Sequence, residues 1–299
     1  MEIRSKEWWV LNAHKSGDQL ARDFGGYGGS WRRWRTQAID SYPDINWNGV
    51  KVVSDKPLVA LEVFDLHHPL HDKKLWQNIL TFTEQMQPDI FVFGGDNQDM
   101  QTLSHWVGNK RRKIEGKRVK KDYQDFERDI FNDINAVLGK NTRKIFHIGN
   151  HEDWVNQYLD INPELEGYLE IENNIDLSDW EVYQYGECSE LGKLHIIHGT
   201  YTNQHHAYKT AQVYGRNVVY GHAHTFQAHT MVAPLDKQSH SAISMPCACS
   251  MNPDYSKNHP NAWVSGFGVT YIQPNGNFNH YPIIAVDGAF IAPTGEYYH

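Results

Sequence analysis

The sequence has 299 residues, 18 of them histidine, and a formal net charge of −8. A chain of this length can bury a full hydrophobic core and does not need disulfide bonds or a bound metal ion for stability. Its mean hydropathy of −0.64 and the lack of an apolar run near about 18 residues exclude a membrane span. No apolar signal segment follows the charged N-terminus, so we expect a cytoplasmic protein without a membrane partner.

The charge is unevenly distributed along the chain. Residues 110–121, KRRKIEGKRVKK, contain eight basic residues and one acidic residue, so this basic segment carries +7 and the rest of the chain −15. The negative total argues against a protein that coats nucleic acid generally, whereas the basic segment offers a local site for a polyanion. The alternative is that the segment is simply a solvated helix end.

Residues 1–55 lack a long periodic apolar run and are interrupted by glycine and proline, which predicts a small N-terminal appendage to a domain over 56–299. Two short helices joined by the GGYGGS turn are expected there, with a spacing compatible with a helix-turn-helix. In that arrangement Trp31 and Trp34 would offer stacking faces to nucleic acid. The favoured alternative is that both tryptophans pack against the main domain.

From residue 57 short β-rich runs alternate with amphipathic stretches. The pattern predicts strands over 57–64, 89–95 and 144–150 and helices over 72–86 and 122–139. After a helical and loop region to about Asp176, six further runs predict a second, mixed or antiparallel sheet: EVYQY, KLHIIHG, NVVYGHAH, SAISMPC, GFGVTYIQ and NFNHYPIIAV. The sequence therefore predicts an α/β fold with parallel strands and a two-sheet core.

Residues with metal-binding side chains follow several of these strands. They are Asp65, His67, Asp96, Asn150, His151, His198, His222 and His224. Ligands of open α/β sheets bind beyond the carboxyl ends of the strands, so five strand ends point at one site. Nitrogen and oxygen donors suit Mn²⁺, Fe or Zn²⁺, and more donors than one ion needs argue for two ions bridged by a carboxylate.

Cysteine usage bears on the same question. Cys188, Cys247 and Cys249 are odd in number and lack CxxC spacing. We therefore expect neither a disulfide framework nor a thiolate zinc site, and any metal must use other ligands.

Five short motifs, DLH, GDNQD, GNHE, HG and GHAH, occur in this order over most of 57–230. Their order resembles the calcineurin-like metallophosphoesterase superfamily, and the GHAH motif is shared with its nuclease and phosphodiesterase branches. The resemblance implies a four-layer αββα sandwich, in which two mixed β-sheets are flanked by helices, with two metal ions at the strand ends.

The resemblance also implies a role for each residue. It places Asp65, His67 and His224 on the first metal, Asn150, His198 and His222 on the second, and Asp96 between them. His151 is left as a catalytic group that faces the substrate, because imidazole can hold and release a proton near neutral pH.

Metal-assisted hydrolysis follows from this assignment. Two divalent ions, with Mn²⁺ favoured over Fe or Zn²⁺, would generate a bridging hydroxide that attacks phosphorus in line while His151 assists the leaving group. Asp99, Glu152 and Asp153 are candidates for orienting His151. His68 and His206 are weaker candidates for the pocket wall.

The predicted substrate class rests on two features: a motif that differs from the one in the protein-phosphatase branch, and the basic segment. The protein-phosphatase branch has Asp-Arg-Gly in the motif that reads GDNQDM here, and no arginine precedes Gly149. We therefore predict a phosphodiesterase or nuclease that acts on DNA or another nucleic acid. Its expected substrate contacts are Lys110, Arg111, Arg112, Lys113 and Trp106. The alternatives are a phosphomonoesterase acting on a small molecule or a phosphoprotein, and a binding module with a structural metal site.

Overall fold

The computed structural model describes residues 3–12, 15, 17–25, 28–42, 56–104, 114–235, 238–253 and 260–299. Its helices are α1 (Lys6–Asn12), α2 (Gly17–Phe24), α3 (Gly28–Ser41), α4 (Lys73–Met86), α5 (Val119–Phe126), α6 (Asn132–Val137), α7 (Asn150–Leu159) and α8 (His206–Tyr214). A π-helical turn, Glu127–Phe131, joins α5 to α6. Among the described residues, none of the helices has the length and apolar character needed to cross a bilayer.

Six strands form the first sheet: β1 (Leu58–Val63), β2 (Ile90–Phe93), β3 (Arg143–His147), β4 (Glu181–Tyr183), β10 (Gly266–Ile272) and β11 (Phe278–Ile284). Their order is β11-β10-β1-β2-β3-β4, with β1 to β4 parallel and β10 and β11 antiparallel. The predicted β-α-β unit is confirmed: α4 links β1 to β2. This helix begins where the Asp72 carboxylate accepts the backbone N–H groups of Lys74 and Leu75, both at 3.0 Å.

The second sheet contains β5 (Ser189–Leu191), β6 (Leu194–Ile197), β7 (Asn217–Tyr220), β8 (Gln227–Ala233) and β9 (Gln238–Ser244), in the order β5-β6-β7-β9-β8. Strands β6, β7 and β9 are parallel. A short hairpin of β12 (Phe290–Ile291) and β13 (Tyr297–Tyr298) follows.

The prediction that all strands after Asp176 form the second sheet is wrong. Strand β4 pairs with β3, and β10 pairs with β1, so both belong to the first sheet. The physical reason is that β1 is buried and needs a hydrogen-bonded neighbour at each edge. A strand pattern shows that a segment is extended, whereas its pairing partner is decided by distant parts of the chain.

Three hydrophobic clusters separate the layers. The largest packs the outer face of the first sheet against α4 to α7, through side chains such as Trp76, Phe93 and Phe126. A second lies between the two sheets, and a third packs the second sheet under α8. The layers are therefore helix, sheet, sheet and helix, which confirms the predicted αββα sandwich.

The helices before the first sheet have their own apolar cluster, which contains Trp8, Trp9, Leu20 and Trp31. Trp31 is only 4% exposed, and its indole N–H donates to the carbonyl of Gly25 at 2.8 Å. The two helices expected around the glycine turn are present. However, the idea that Trp31 offers a stacking face is wrong, because its ring is buried among α1 to α3 rather than facing solvent.

Glu62 lies on β1 and is fully buried between the sheets. Burial raises its pKa from 4.5 to about 8. His280 Nδ1 is 3.8 Å from the carboxylate, but burial lowers the pKa of His280 to about 3, so that ring carries no compensating charge at neutral pH. Ionised Glu62 therefore destabilises the folded state.

We expect Glu62→Gln to stabilise the protein increasingly as the pH rises. The raised pKa of the folded state means that the wild type pays no ionisation penalty below about pH 4.5 and progressively loses stability up to about pH 8, by about 1.4 kcal/mol per unit. Urea unfolding at pH 5 and pH 8 measures this effect. The control is Glu84→Gln, on the exposed face of α4. Equal stabilisation at both pH values would contradict the assignment.

Candidate metal centre

All seven predicted metal ligands meet where the two sheets present the carboxyl ends of their parallel strands. The loops after β1 and β2 are joined by two backbone hydrogen bonds: Asp65 N–H donates to Gly95 O at 3.1 Å, and His67 N–H donates to Asp96 O at 2.8 Å. From the second sheet, the backbone N–H of His222 reaches both carboxylate oxygens of Asp65 at 2.9 Å. These bonds hold donors from distant parts of the chain in one place.

The first donor set consists of Asp65, His67 and His224. His224 Nε2 lies 3.0 Å from His67 Nε2 and 3.4 Å from Asp65 Oδ1. All three residues are buried, with no more than 6% of any of them exposed. Two ring nitrogens and a carboxylate oxygen therefore converge on one point.

The second donor set consists of Asp96, His198 and His222, and Asn150 adjoins it. His198 Nε2 lies 3.0 Å from Asn150 Oδ1 and 3.2 Å from Asp96 Oδ2. The same Asp96 oxygen is 3.6 Å from His67 Nε2 in the first set. One carboxylate thus lies between the two sets, at the position that the resemblance implies for Asp96.

These distances fit divalent cations. Metal–nitrogen and metal–oxygen bonds of about 2.0–2.2 Å place neighbouring ligands on one ion about 3.0–3.5 Å apart. The separations of 3.0–3.4 Å within the first set and 3.0–3.2 Å within the second match this spacing. Both donor sets could therefore hold a metal ion.

The backbone at the ligands is held in an unfavourable conformation. Five of the seven predicted ligands have φ between 50° and 70°, a left-handed region that non-glycine residues seldom adopt: Asp65, His67, Asp96, His222 and His224. Glycine permits the loops to approach each other. A Cβ on Gly149 would lie 2.1 Å from Asp96 N, and one on Gly221 would lie 2.5 Å from Asp65 Oδ2.

Electrostatics pair the carboxylates with imidazoles. Burial alone would raise the pKa of Asp96, but the surrounding imidazoles, His198 foremost, hold it well below its usual range. Burial likewise opposes protonation of His198, yet the Asp96 carboxylate raises its pKa to about 9. Asp96 is thus an anion at neutral pH and can hold positive charge, either a proton on His198 or a cation.

His151 lies beside this carboxylate at the N-terminus of α7, and its side chain is 20% exposed. Its Nε2 is 3.8 Å from Asp96 Oδ2, and its Nδ1 is 2.8 Å from the backbone carbonyl of Asp99. A carbonyl only accepts hydrogen bonds, so Nδ1 carries the hydrogen and Nε2 faces the metal centre. The ring also packs on Trp154, with centroids 4.0 Å apart, which fixes its orientation.

Of the three residues whose carboxylates are expected to orient His151, only Asp99 contacts the ring, and its hydrogen bond is made by the backbone carbonyl. The Asp99 carboxylate is 3.6 Å from His151 Nδ1, in addition to the carbonyl contact. Asp153 instead bonds Asn156 and Gln157 on its own helix, at 3.1 and 2.9 Å. The expectation for Asp153 is wrong because its helical position turns the side chain away from the ring.

Glu152 has a different role from the predicted one. Its buried carboxylate accepts three backbone N–H groups, from Asp96 at 3.1 Å, Gln98 at 2.9 Å and Gly149 at 2.9 Å. It therefore joins the loop that carries Asp96 to the loop that carries Asn150. A glutamate three residues after the helix-capping glycine was the available sequence signal.

We expect Glu152→Gln to weaken metal binding or activity about 10–100-fold, the usual cost of losing an outer partner of metal ligands. The amide replaces one acceptor oxygen with an NH₂ group that faces a backbone N–H. The matched control is Asp153→Asn, one position along the same helix. Titration with Mn²⁺ measures the effect, and equal affinities for the two variants would contradict this role.

Other predicted contacts are placed as follows. Trp106, Lys110, Arg111, Arg112 and Lys113 lie outside the described residues. His68 is buried and pairs with Asp129 at 3.4 Å. His206 is buried with its ring nitrogens 2.7 Å from Tyr220 Oη and 2.8 Å from Thr225 Oγ1, so its place in the pocket wall is not supported. Both of its nitrogens are used in packing α8 on the second sheet.

The chain is similar to two curated phage proteins. It is 25% identical over 232 residues to Gene 54 protein of Mycobacterium phage D29, covering 71% of this chain and 88% of the relative. It is 22% identical over 222 residues to Gene 54 protein of Mycobacterium phage L5, covering 69% and 86%. No family model matches the sequence.

Among solved structures, the chain is similar to wild-type Vps29 complexed with Zn²⁺ from Entamoeba histolytica, with a TM-score of 0.40, 12% identity, and coverage of 78% of this chain and 96% of that one. It is also similar to a conserved uncharacterized protein, described as a predicted phosphoesterase, from Streptococcus pneumoniae TIGR4, with a TM-score of 0.31, 10% identity, and coverage of 82% and 95%. At these TM-scores the chemistry of the site rests on its own residues.

Proposed function

We propose that this protein is a phosphoester hydrolase dependent on two divalent metal ions, and that its substrates are phosphodiesters of nucleic acid. The observation that carries the proposal is the position of the Asp96 carboxylate. It lies within 3.2 Å of His198 in one donor set and 3.6 Å of His67 in the other, with the partly exposed His151 ring 3.8 Å away. Two candidate metal positions and the partly exposed His151 ring therefore surround one buried carboxylate.

The two donor sets would hold the ions. When bound, such a pair supplies Lewis acidity to phosphoryl oxygens and makes water easier to ionise near neutral pH. Mn²⁺ is the proposed ion, since the donor sets contain the carboxylate and amide oxygens of Asp65, Asp96 and Asn150, which suit it. Asp65 and Asp96 would supply the negative charge that retains the cations. The imidazoles, after releasing their protons, and Asn150 would complete the donor sets.

His151 is proposed to protonate the leaving oxygen. The bond from Nδ1–H to Asp99 O leaves Nε2 as the atom that faces the centre. A proton held on Nε2 can pass to an alkoxide as the P–O bond breaks. The 20% exposure of the side chain gives a substrate access to this nitrogen.

The nucleic-acid preference rests on the basic segment. Its described part, residues 114–121, contacts the turn that follows the Asp96 loop, where Lys117 Nζ donates to Gln101 Oε1. Asp122, directly after the segment, accepts a hydrogen bond from Thr102 Oγ1 in the same turn at 2.6 Å. Arg118 and Lys120 are exposed there. The segment is therefore anchored to the turn that follows the Asp96 loop, and its exposed positive charges are proposed to bind the flanking phosphates of a polynucleotide.

A metal-reconstituted activity panel tests the proposal. With Mn²⁺ present, we expect cleavage of a bis-aryl phosphodiester and of DNA, with single-stranded and double-stranded DNA assayed in parallel. Turnover of a phosphomonoester alone would replace the proposed function with a phosphomonoesterase. Metal binding without turnover of any ester would indicate a structural metal site.

Neutralising Lys110, Arg111, Arg112 and Lys113 is expected to weaken DNA binding and to reduce its salt dependence. Each lost phosphate contact lowers the slope of log affinity against log salt by about 0.9 for duplex DNA. The charge-matched control neutralises four lysines outside the segment, Lys56, Lys140, Lys193 and Lys209. Fluorescence anisotropy at several salt concentrations measures both effects, and equal slopes for the two variants would refute the contact.

A further inference from the structure

Two cysteine thiols lie against the imidazole of His224. Cys247 and Cys249 are 0% and 1% exposed, and Cys249 Sγ is 3.9 Å from His224 Nδ1. The other ring nitrogen, Nε2, faces His67 and Asp65 at 3.0 and 3.4 Å. The two nitrogens of one ring therefore face two different sets of donor atoms.

The backbone fixes the position of this thiol pair. Cys247 N–H donates to Val264 O at 2.9 Å, Ala248 N–H donates to Phe64 O at 3.0 Å, and Val264 N–H donates to His224 O at 2.9 Å. The segment is thus tied both to the end of β1 and to the loop of His224. Because these bonds order the backbone in advance, ligand binding requires little further loss of conformational freedom.

The three residues offer donor atoms that all lie within 4.8 Å of one another. Zinc–sulfur bonds of about 2.3 Å and zinc–nitrogen bonds of about 2.0 Å place two tetrahedral ligands about 3.3–3.8 Å apart, so a small inward movement closes the set. We propose that His224 Nδ1, Cys247 Sγ and Cys249 Sγ form a third metal site that binds a thiophilic divalent ion of the Zn²⁺ class. Two sulfurs and one nitrogen make a softer set than the Asp and His donors, and disfavour Mn²⁺ or Mg²⁺.

The protonation changes are defined. Each thiol gives its proton to solvent when its sulfur becomes a ligand. Simultaneous binding of an ion at His224 Nε2 requires the ring to lose its N–H proton as well, so the imidazolate bridges the two ions. Three protein donors leave one coordination position for water. This inference concerns metal content and does not depend on phosphoester hydrolysis.

Sequence spacing disfavours a thiolate site because a single residue separates Cys247 from Cys249. The chain bends at Ala248, and the third donor, His224, comes from a different loop. The set is therefore visible only in three dimensions. The alternative is that the two cysteines bind no metal and serve only as buried apolar side chains, with Cys249 in weak contact with the His224 ring.

Cobalt substitution of the full-length protein tests the site. Thiolate ligands give Co²⁺ an intense sulfur-to-metal charge-transfer absorption in the near ultraviolet, which nitrogen and oxygen ligands do not. We expect this absorption in the wild type and a marked loss of its intensity in Cys247→Ser and in Cys249→Ser, since each variant retains only one of the two thiolates. The matched control is Cys188→Ser, whose thiol is exposed and whose removal should leave the absorption unchanged. Absence of the band from the wild type, or its persistence at full intensity in both variants, would overturn the proposal.

A second measurement needs no substitution and therefore does not depend on the variants folding. X-ray absorption at the zinc edge of the zinc-loaded wild type should show sulfur neighbours at about 2.3 Å. Only nitrogen and oxygen neighbours would overturn the third site. Either result leaves the hydrolysis proposal to be judged separately by the ester panel.

Discussion

Replacing His151 with alanine is expected to reduce kcat for phosphodiester cleavage about 10²–10⁴-fold, the usual contribution of a positioned general acid. The Nε2 atom that faces Asp96 is lost, and with it the proton for the leaving oxygen. His151 belongs to neither of the two donor sets; it is grouped instead with His67 and Asp99, and its Nδ1 is held by the Asp99 carbonyl. The number of ions bound by the two donor sets should therefore not change. Steady-state kinetics and elemental analysis of the same preparation measure the two quantities.

The choice of ester sharpens this experiment. A diester with a good aryl leaving group needs little protonation, so the loss in His151→Ala should be smaller for it than for DNA. His299→Ala, an exposed histidine at the end of the chain, serves as the control and should retain wild-type rates. If kcat falls equally for all substrates and bound metal is lost as well, His151 would be a metal ligand rather than a general acid.

Replacing Asp96 with asparagine is expected to have the largest effect on metal binding, weakening the affinity for the pair by at least about 100-fold. Loss of even an outer partner of a ligand costs about 10–100-fold, and Asp96 is shared by both sets. The amide is nearly isosteric, so the change removes a negative charge and leaves the shape intact. Calorimetric titration with Mn²⁺ and elemental analysis after dialysis measure the loss.

The control for this variant is Asp160→Asn, at the exposed end of α7. Circular dichroism establishes that Asp96→Asn remains folded. Two ions bound at wild-type affinity would contradict a bridging position for Asp96. If one ion is lost and the other retained, the carboxylate belongs to a single site, which contradicts the bridge equally.

The two variants separate the roles of neighbouring side chains. His151 Nε2 and Asp96 Oδ2 are 3.8 Å apart. Nevertheless, His151→Ala should lower kcat without changing the metal content, whereas Asp96→Asn should lower the metal content. This contrast depends on tautomer and charge rather than on distance.

Much of the metal centre could be predicted from sequence. Asp65, Asp96 and Asn150 each follow a buried strand, and the carboxyl ends of parallel strands lie at one edge of a sheet. Local pattern also predicted α4 between β1 and β2, because helical periodicity and strand composition are properties of short segments. The αββα layering followed from the resemblance and is confirmed.

Membership of the sheets could not be predicted in this way. Strands β4, β10 and β11 look like any others in the second half of the sequence, yet they complete the first sheet. Each strand has two edges, and packing over the whole domain determines which strand pairs with each edge. The local sequence of a strand therefore does not predict its partners.

The residue types that can bind metal, and the strands that they follow, are evident from the sequence. Three contacts arise only from the packing of the folded chain: Glu152 holds the two ligand loops together, His151 turns its Nε2 toward Asp96, and Cys249 contacts His224. In each contact, the direction in which the side chain points depends on the backbone of its loop, and hydrogen bonds to distant parts of the chain hold that backbone. Sequence spacing predicts side-chain direction within one helix or strand. It does not predict contacts between loops, because these form when the two sheets pack.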